Sequence, residues 1–489
     1  MFLVLTLFTG VFILWCLHLR FSREGRLIAK IPGPPGLPIL GNTFQFLGSS
    51  DVLFKATREL YKTYKGLIQL HALNFRCVNV YDPEDIARIL SSSQLIDKNV
   101  PYNFLRPWLN NGLLISSGQK WLHRRKMLTP AFHLNALKSF LEVFVENAEQ
   151  FQKSVESELR NEKTNLYQLR REFWEKKGTI FEENINTGAN KGRSAMIDLL
   201  FQNEKMKKID ESGIREEVDT FLFAGYDTIS TTLTFFIMRI ANEPAIQEKI
   251  HEEIEYIFGG SDRPPSLEDL NKMKYTECCI KESLRIYPSV PFISRYIKKE
   301  IVLGGYKIPA GTQASIMIYD LHHREDIYPE PEKFIPERFL HRNQVKNHPY
   351  AFIPFSAGYR NCIGQKYAML TMKTLILSLF KKFRVEPVTK MEDIILCMGI
   401  TLRTTHPIYA SCLNESGTKK PRPKAIQTKY LQTISEKRNS NDITEDLMEV
   451  VSSDMDLNER YNKIVNKLKE QAKIYFSTTN NQDSRILSK

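Results

Sequence analysis

The hydrophobic positions of the chain predict helices along most of its length. Residues 113–151 follow a helical pattern, which places Trp121 and Arg125, four residues apart, on one helix face. A long, mostly apolar helix is predicted over residues 214–242, and Pro244 both ends it and opens the next helix. The apolar face of that next helix is formed by Ile246, Ile250, Ile254 and Ile257.

Shorter elements complete the pattern. Ser266 and Asp269 resemble a capping box in front of a further helix that reaches about residue 286. Residues 291–315 combine glycine, proline and β-branched residues, and residues 42–100 mix helical patterns with β-branched runs, so both segments predict short strands. Another apolar helix follows Cys362 and runs to about residue 380. The predicted fold class is therefore mostly α with a small β region.

The two ends of the chain differ from this body, which spans residues 42–413. Residues 1–19 carry no formal charge and are about long enough to cross a membrane, so they predict a retained transmembrane signal anchor with the body in the cytosol. The alternative is a cleaved secretory signal. Residues 20–41 form a basic, proline-rich linker that acts as a stiff spacer. Residues 414–489 predict a polar, partly disordered tail, whose amphipathic stretch at 457–475 has a solvated surface helix as its alternative.

Composition narrows the class of protein only a little. With 489 residues, 42% of them hydrophobic, the chain can bury a sizeable core. Its seven cysteines lack paired spacing, which argues against a disulfide framework and for a reducing compartment. The net charge of +12 suits an anionic membrane surface or an acidic protein partner, and no basic cluster indicates a nucleic-acid partner.

The stretch FSAGYRNCIG, residues 355–364, places Cys362 in a glycine-punctuated loop directly before an apolar helix. The helix N-terminus and the nearby Arg360 both favour a thiolate, and Gly358 and Gly364 leave room for a flat ligand. Because no His or Cys companions stand at zinc or cluster spacing, a single thiolate ligand points to haem. The alternative is that Cys362 is one more small buried residue.

The full pattern F-x-x-G-x-R-x-C-x-G resembles the signature loop of the cytochrome P-450 family, the haem-thiolate monooxygenases. The matching residues are Phe355, Gly358, Arg360, Cys362 and Gly364. The resemblance implies the cytochrome P-450 fold, haem b as the cofactor and Cys362 as the axial iron ligand.

Two further motifs resemble structural parts of that family. Glu282 and Arg285, in KESLR, match its E-x-x-R pair, and Arg338, in PERF, would complete a buried Glu-Arg-Arg cluster with a structural role. The alternative for the pair is an ordinary surface ion pair.

The resemblance also assigns residues around the haem. Trp121 and Arg125, in WLHRR, match the W-x-x-x-R motif that binds the haem propionates, and Arg295 resembles a third propionate ligand. The expected lining of the substrate pocket is Val290, Pro291, Phe292 and Ile293.

The pentapeptide AGYDT, residues 224–228, lies in the middle of the long apolar helix. In the family such an acid and alcohol pair, here Asp227 and Thr228, faces dioxygen, loosens the helix locally and relays protons. The alternative is a carboxylate paired to a neighbouring basic residue. Many family-four relatives carry a glutamate that esterifies the haem where this chain has Ala224, so haem here is expected to be held without that bond.

Four stretches resemble the microsomal family-four type, which is associated with ω-hydroxylation of fatty acids and similar lipids. They are KWLHRRKMLTPAFH, IREEVDTFLFAGYDT, KESLRIYPSVPFISR and the signature loop. This resemblance implies an NADPH- and O2-dependent enzyme of the endoplasmic reticulum membrane that hydroxylates an apolar substrate such as a fatty acid, hormone or xenobiotic. A reductase would dock near Arg124, Lys126 and Lys366, with cytochrome b5 as a second candidate donor and membrane lipid as a further partner.

The chain departs from the family in one interval. Only 103 positions separate Trp121 from Ala224, which is short for the helices expected between them, and the missing material is expected around residues 159–193. Because those helices would roof the pocket, the alternative function is a non-catalytic or unstable, shortened haem-binding membrane protein.

Overall fold

The structure is a computed structural model that describes residues 10–12, 21–37, 40–72, 75–159, 163–166, 196–340 and 348–414. These residues belong to one compact unit, formed by Met1–Gln168 and Arg193–Thr418. Almost all of the predicted anchor at 1–19, most of the shortened interval at 159–193 and the tail from residue 415 lie outside the described residues.

Helices dominate the described chain, as the hydrophobic pattern predicts. The helices are α1 Arg23–Ile28, α2 Ser50–Tyr64, α3 Pro83–Leu90, α4 Arg106–Leu109, α5 Gly118–Leu128, α6 Leu134–Ser139, α7 Leu141–Glu158, α8 Met196–Lys205, α9 Glu211–Ala241, α10 Pro244–Phe258, α11 Leu267–Lys272, α12 Lys274–Ile286, α13 Ile318–His322 and α14 Gln365–Phe380. Short 3₁₀ turns occur at Thr43–Phe46, Tyr102–Leu105, Thr129–Phe132, Pro336–Phe339, Gly358–Arg360 and Met391–Asp393.

The strands are short and form small sheets. They are β1 Ile68–Ala72, β2 Phe75–Val80, β3 Thr164–Asn165, β4 Ile293–Ile297, β5 Ile301–Leu303, β6 Tyr306–Ile308, β7 Thr312–Ile316, β8 Phe383–Pro387, β9 Leu396–Met398, β10 Leu402–Thr404 and β11 Tyr409–Asn414. The largest sheet has the order β1-β2-β7-β4, in which β2 and β7 are parallel and the other pairs antiparallel. The remaining sheets are β3-β11-β8 and the hairpins β9-β10 and β5-β6.

Helix α9 is the central element of the core, and the predicted helix over 214–242 is confirmed. Asp210 caps its start by accepting the Gly213 N–H at 2.9 Å. Phe236 packs edge-on against Phe380 of α14, with ring centroids 6.3 Å apart. Among the described residues, α9 is the helix that is long and apolar enough to cross a membrane, but more than half of its apolar window is buried inside the protein. It is therefore a core helix.

The predicted helix from Ser266 to about residue 286 is wrong at one position. The capping box of Ser266 and Asp269 is present, yet the helix stops at Met273, where ψ is 72°, and α12 begins at the next residue. The carboxylate of Glu253 explains the new start, because it accepts the N–H groups of Tyr275 at 2.6 Å and Thr276 at 2.8 Å. A side chain from α10 thus caps a helix end that the local sequence does not show.

The proline-rich segment 31–37 is docked on the body rather than standing free as a spacer. The Pro32 carbonyl accepts the Gln69 N–H of β1 at 2.9 Å, and the Asn42 N–H donates to the His71 carbonyl at 2.7 Å. A second hydrogen bond joins the same two residues, because the Asn42 side chain accepts the His71 N–H at 3.0 Å. The segment therefore covers the edge of the sheet, a position at which proline is tolerated.

Candidate active site

The loop that carries Cys362 is folded tightly in front of α14. Its backbone closes through the Cys362 N–H, which donates to the Phe355 carbonyl at 2.9 Å, and Gly364 is the N-cap residue of α14. Gly358 has a φ of +70°, and a Cβ there would overlap the Leu90 carbonyl oxygen. The glycine is therefore required for packing against the end of α3, not for the approach of a ligand as the sequence predicts. At Gly364 the nearest atom to an added Cβ is Phe132 Cε1, at 3.8 Å.

The Cys362 side chain is accessible to solvent although protein surrounds it on most sides, as expected for a group in the wall of a cleft. Burial raises the pKa of its thiol, while the Gly364 N–H and the positive charge of Arg125 act in the opposite direction. The prediction that Arg360 and the helix together favour the thiolate is thus corrected in two respects. The acting cation is Arg125, and the protein groups alone leave the pKa of Cys362 above its usual value.

The Arg360 side chain is held by backbone carbonyl groups. Its guanidinium is buried and donates to four carbonyl groups: Ile96 at 2.9 Å, Ser116 at 2.8 Å, Leu113 at 3.0 Å and Leu114 at 3.1 Å. It also lies over the buried Trp121 ring, 4.8 Å from the centroid. Arg360 therefore ties the cysteine loop to the segment before α5.

Positive charges gather near this loop, and among the described residues none of them forms an ion pair with an acid. Arg125 donates to the Asn361 carbonyl at 2.7 Å and to its side-chain Oδ1 at 2.6 Å, and the buried Arg295 donates to the Ser294 carbonyl at 2.8 Å. Burial together with the charges of Arg360 and Arg295 lowers the pKa of Lys98 well below its usual value.

In the described part of the chain no ion pair joins these four cations to an acid. The nearby carboxylate of Asp97 pairs with Lys298 instead. A cluster of this kind fits a bound dianion, and the two propionates of haem supply one. The donor set and the accessible thiol therefore fit haem. Lys98 is a member that the sequence analysis missed, since no motif marks it.

The middle of α9 supplies the predicted alcohol. Thr228 is half-buried, and its hydroxyl donates to the Ala224 carbonyl at 2.7 Å. The helix is α-helical throughout, so the local loosening that the sequence predicts is not present. An added Cβ at Gly225 would meet no atom within 4 Å, which shows open space beside this turn.

Asp227 is buried and has partners that the sequence analysis did not identify. Its Oδ2 accepts the Thr401 hydroxyl at 2.7 Å, and its Oδ1 pairs with the Arg403 guanidinium. This is the arrangement of the alternative, a carboxylate paired with a basic residue. Thr401 and Arg403 stand about 175 positions further along the chain, so no local pattern could reveal the contact.

The structure brings the three predicted cluster residues together. Glu282 and Arg285 are both fully buried, with Nε to Oε2 at 2.8 Å and Nη2 to Oε1 at 2.9 Å. Arg338 Nε lies 3.4 Å from Glu282 Oε1, and the Ile335 N–H donates to the same oxygen at 2.9 Å. Arg285 also donates to carbonyls, among them that of Pro331 at 2.7 Å. Each charge is therefore compensated.

The residues predicted to line a substrate pocket lie in or against the packed sheet region. Ile293 is buried in the core of the first sheet, and Val290 packs against that core. Phe292 packs against a smaller cluster around Tyr81. Pro291 is buried, and its carbonyl accepts the Tyr319 N–H at 2.9 Å. All four residues therefore contact the sheet region, and their role as pocket lining stays a prediction.

One of the three residues predicted for reductase docking is not at the surface. Arg124 is buried between α5 and α9, where it fills the space above Gly213 and lies 4.0 Å from Glu216. Lys126 and Lys366 are exposed, as a docking surface requires. The run of basic residues in α5 does not reveal which of them faces inward.

A mostly helical fold with an accessible cysteine, beside buried cations that have no ion-pair partner among the described residues, fits a haem-thiolate protein. Comparison with known proteins agrees: the model of the family described as "Cytochrome P450" matches residues 31–169 and 157–410. The chain belongs to the cytochrome P-450 family. It is accordingly a haem-thiolate monooxygenase that uses haem and O2, receives electrons from a reductase and acts on an apolar substrate.

Individual relatives place the chain near family four. Cytochrome P-450 4c3 of Drosophila melanogaster is 33% identical over 78% of this chain and 89% of the relative. Probable cytochrome P-450 4ac1 of the same organism is 36% identical, over 80% and 92% respectively. Cytochrome P-450 4V2 of Homo sapiens is 32% identical, over 80% and 90%. The family-four resemblance predicted from the motifs is thus confirmed.

Proposed function

We propose that this chain is a membrane-bound, NADPH-dependent hydroxylase of a fatty-acid-like substrate, with Cys362 as the axial haem ligand. The observation that carries the proposal is the accessible Cys362 side chain beside Arg295 and Arg360, which have no ion-pair partner in the described part of the chain. The substrate class rests on the similarity to family four, since no described pocket defines a substrate shape.

Different residues around the loop would bind different parts of the haem. Cys362 would coordinate the iron, and Arg125, Arg295 and Lys98 would pair with the propionates, while Trp121 packs beside Arg360. Phe355 accepts the Cys362 N–H, which orients the sulfur. Bound haem supplies the activation of O2 for insertion of one oxygen atom into a C–H bond. Ala224 has a methyl side chain and forms no ester, so the haem is held without a side-chain ester at this position.

Asp227 and Thr228 deliver protons in this proposal. The Thr228 hydroxyl, held by the Ala224 carbonyl, borders the open space at Gly225. Asp227 is buried, but its partner Arg403 keeps 33% of its side chain exposed. When the guanidinium swings toward water, the carboxylate gains access to solvent protons. The ion pair found in the structure is then the resting state of the relay.

The electron donor docks on the exposed basic residues Lys126 and Lys366. We assign NADPH as the source of electrons through the reductase, with cytochrome b5 as a second donor. The uncharged residues 1–19 and the net charge of +12 support attachment to an anionic lipid surface. We place the protein in the endoplasmic reticulum membrane with its body in the cytosol.

A second candidate function is a shortened haem-binding chain without turnover. One observation favours it: the alignment to the Drosophila melanogaster 4c3 relative extends over 476 residues, whereas it takes in only 78% of this 489-residue chain. The relative therefore contributes more residues to the aligned span than this chain does. If helices that roof the pocket are missing, water reaches the haem and substrate binding weakens.

The test is the reduced, CO-bound difference spectrum of the purified protein. We expect a strongly red-shifted Soret band that disappears in Cys362→Ala and persists in Cys278→Ala, because Cys278 is buried in α12 away from the loop. An unshifted band in the parent protein would contradict the thiolate assignment. A red-shifted band without NADPH-dependent hydroxylation of long-chain fatty acids by the reductase-reconstituted enzyme would favour the second candidate.

A further inference from the structure

A chain of hydrogen bonds connects α9 to the loop that carries Cys362. On α9, Glu217 Oε2 accepts the backbone N–H of Leu113 at 3.0 Å. The Leu113 carbonyl accepts Arg360 Nη2 at 3.0 Å, and Arg360 stands two residues before Cys362. One residue, Leu113, therefore joins a carboxylate of the central helix to the arginine of the cysteine loop.

The segment 111–116 is held between these two elements. On one side the Asn111 N–H donates to Glu216 Oε1 at 3.3 Å, next to the Glu217 contact. Gly112 lies so close to α9 that a Cβ there would overlap the Glu216 carbonyl oxygen and the Thr220 hydroxyl. On the other side the segment offers its carbonyls to Arg360. The position of the segment 111–116 therefore determines where the carbonyl groups that accept hydrogen bonds from Arg360 lie.

Burial of the Glu217 carboxyl group costs folding free energy. It is fully buried, and its Oε1 has no hydrogen-bond partner in the part of the chain that the structure describes. Burial raises the pKa of its carboxyl to about 7, against the effects of Arg124 and Lys120, and Glu216 adds to the increase. An apolar side chain would avoid this cost. The hydrogen bond to Leu113 is what an apolar side chain could not supply.

We propose that Glu217 is a positioning residue for the haem thiolate. By holding the segment 111–116 against α9, its carboxylate fixes the carbonyl acceptors of Arg360 and thereby the Cys362 loop. Without it, Arg360 would lose well-placed acceptors, and Cys362 would be held less firmly in the position that binds the iron. The inference rests on the proposed axial role of Cys362.

The first readout is the rate at which the reduced, CO-bound holoenzyme converts from the red-shifted band to the unshifted band. We expect Glu217→Ala to accelerate this conversion about fivefold, the effect of one lost hydrogen bond. Glu217→Gln should keep the parent rate, because its amide oxygen still accepts the Leu113 N–H. Gly112→Ala, which pushes the segment away from α9, should reproduce the acceleration.

The matched control is Asp219→Ala. Asp219 is a buried acid two residues further along α9, and its pKa is likewise raised by burial, to about 6. Its Oδ2 lies 3.8 Å from Nε of Arg215 on the same helix. We expect Asp219→Ala to leave the conversion rate unchanged. Equal acceleration in both alanine variants, or acceleration in Glu217→Gln, would overturn the inference.

A second readout does not depend on haem. The Cys362 N–H, which donates to Phe355, should exchange with solvent about fivefold faster in Glu217→Ala than in the parent or in Asp219→Ala. Unchanged exchange at Cys362 would overturn the positioning role by itself. A parent protein without the red-shifted band would instead remove the axial role of Cys362, so the two failures are distinguishable.

Discussion

At the scale of single residues, the conformation of the cysteine loop depends more on Gly358 than on Gly364. Gly358 adopts a φ of +70° against the Leu90 carbonyl, whereas Gly364 has a φ of −92°, which any residue adopts. The pattern F-x-x-G-x-R-x-C-x-G does not distinguish them. Their surroundings do, because one faces backbone and the other faces the edge of a phenylalanine ring.

We therefore expect Gly358→Ala to lower the free energy of unfolding by at least about 1–3 kcal/mol from backbone strain, with the carbonyl overlap adding to it. Gly364→Ala should change it by much less, since its Cβ would make an ordinary contact with Phe132. Urea unfolding of the two variants checks this difference. Similar midpoints for both would contradict the packing role of Gly358.

The site residues show how far sequence reasoning reaches at this scale. The motifs located Cys362, Trp121 and Arg125, because short motifs carry their own spacing. They did not show that Arg124 faces inward or that Asp227 pairs with Arg403. The first depends on the rotation of α5 against α9, and the second on how the β9-β10 hairpin packs; neither is recorded in the local sequence.

At the scale of elements, α12 is joined to the following chain by the buried cluster of Glu282, Arg285 and Arg338. The pair Glu282 and Arg285 has the same spacing as Glu59 and Lys62 in α2, yet the former is fully buried and the latter mostly exposed. A buried pair loses far more when one partner is removed, because the remaining charge stays desolvated.

We expect Glu282→Gln to cost about 3–5 kcal/mol of unfolding free energy, since it leaves Arg285 without its counter-charge. Glu59→Gln should change the same quantity by no more than about 0.5 kcal/mol. The two variants differ in burial and share the i, i+3 spacing, so urea unfolding isolates burial. Comparable losses would show that the cluster is not the stabilising feature.

Element boundaries mark the other limit of sequence reasoning. The capping box at Ser266 and the start of α10 at Pro244 follow from local chemistry, and the structure has both. The break at Met273 does not, because the group that caps α12 belongs to Glu253 of another helix. The docking of the proline-rich segment was likewise not predicted, because its hydrogen-bond partner lies in β1, which is distant in the sequence.

At the scale of the whole molecule, the proposed function requires the electron donor to dock on the face near Cys362. Lys126 on α5 and Lys366 on α14 are exposed on elements adjacent to the loop, whereas Arg124 is buried. Charge reversal on such a face slows diffusional encounter, and dissolved salt screens the effect.

We expect the double variant Lys126→Glu and Lys366→Glu to raise the KM for the reductase about tenfold at low ionic strength, with the difference shrinking as salt is added. Lys307→Glu, an equally exposed position on the β5-β6 hairpin, serves as the charge control and should have little effect. Reductase titrations of cytochrome P-450 reduction measure both. A salt-independent loss would indicate damage to the fold instead of to docking.

The Glu282 cluster also bears on how the chain is made. Arg285 needs the Pro331 carbonyl, and Glu282 needs the Ile335 N–H and Arg338, so its partners are synthesised some fifty residues later. While the ribosome is between these points, α12 carries charges that cannot yet be buried together. A nascent or truncated chain that ends before Pro331 therefore keeps this region open to chaperones and proteases. The cluster can form only after residue 338 has been synthesised.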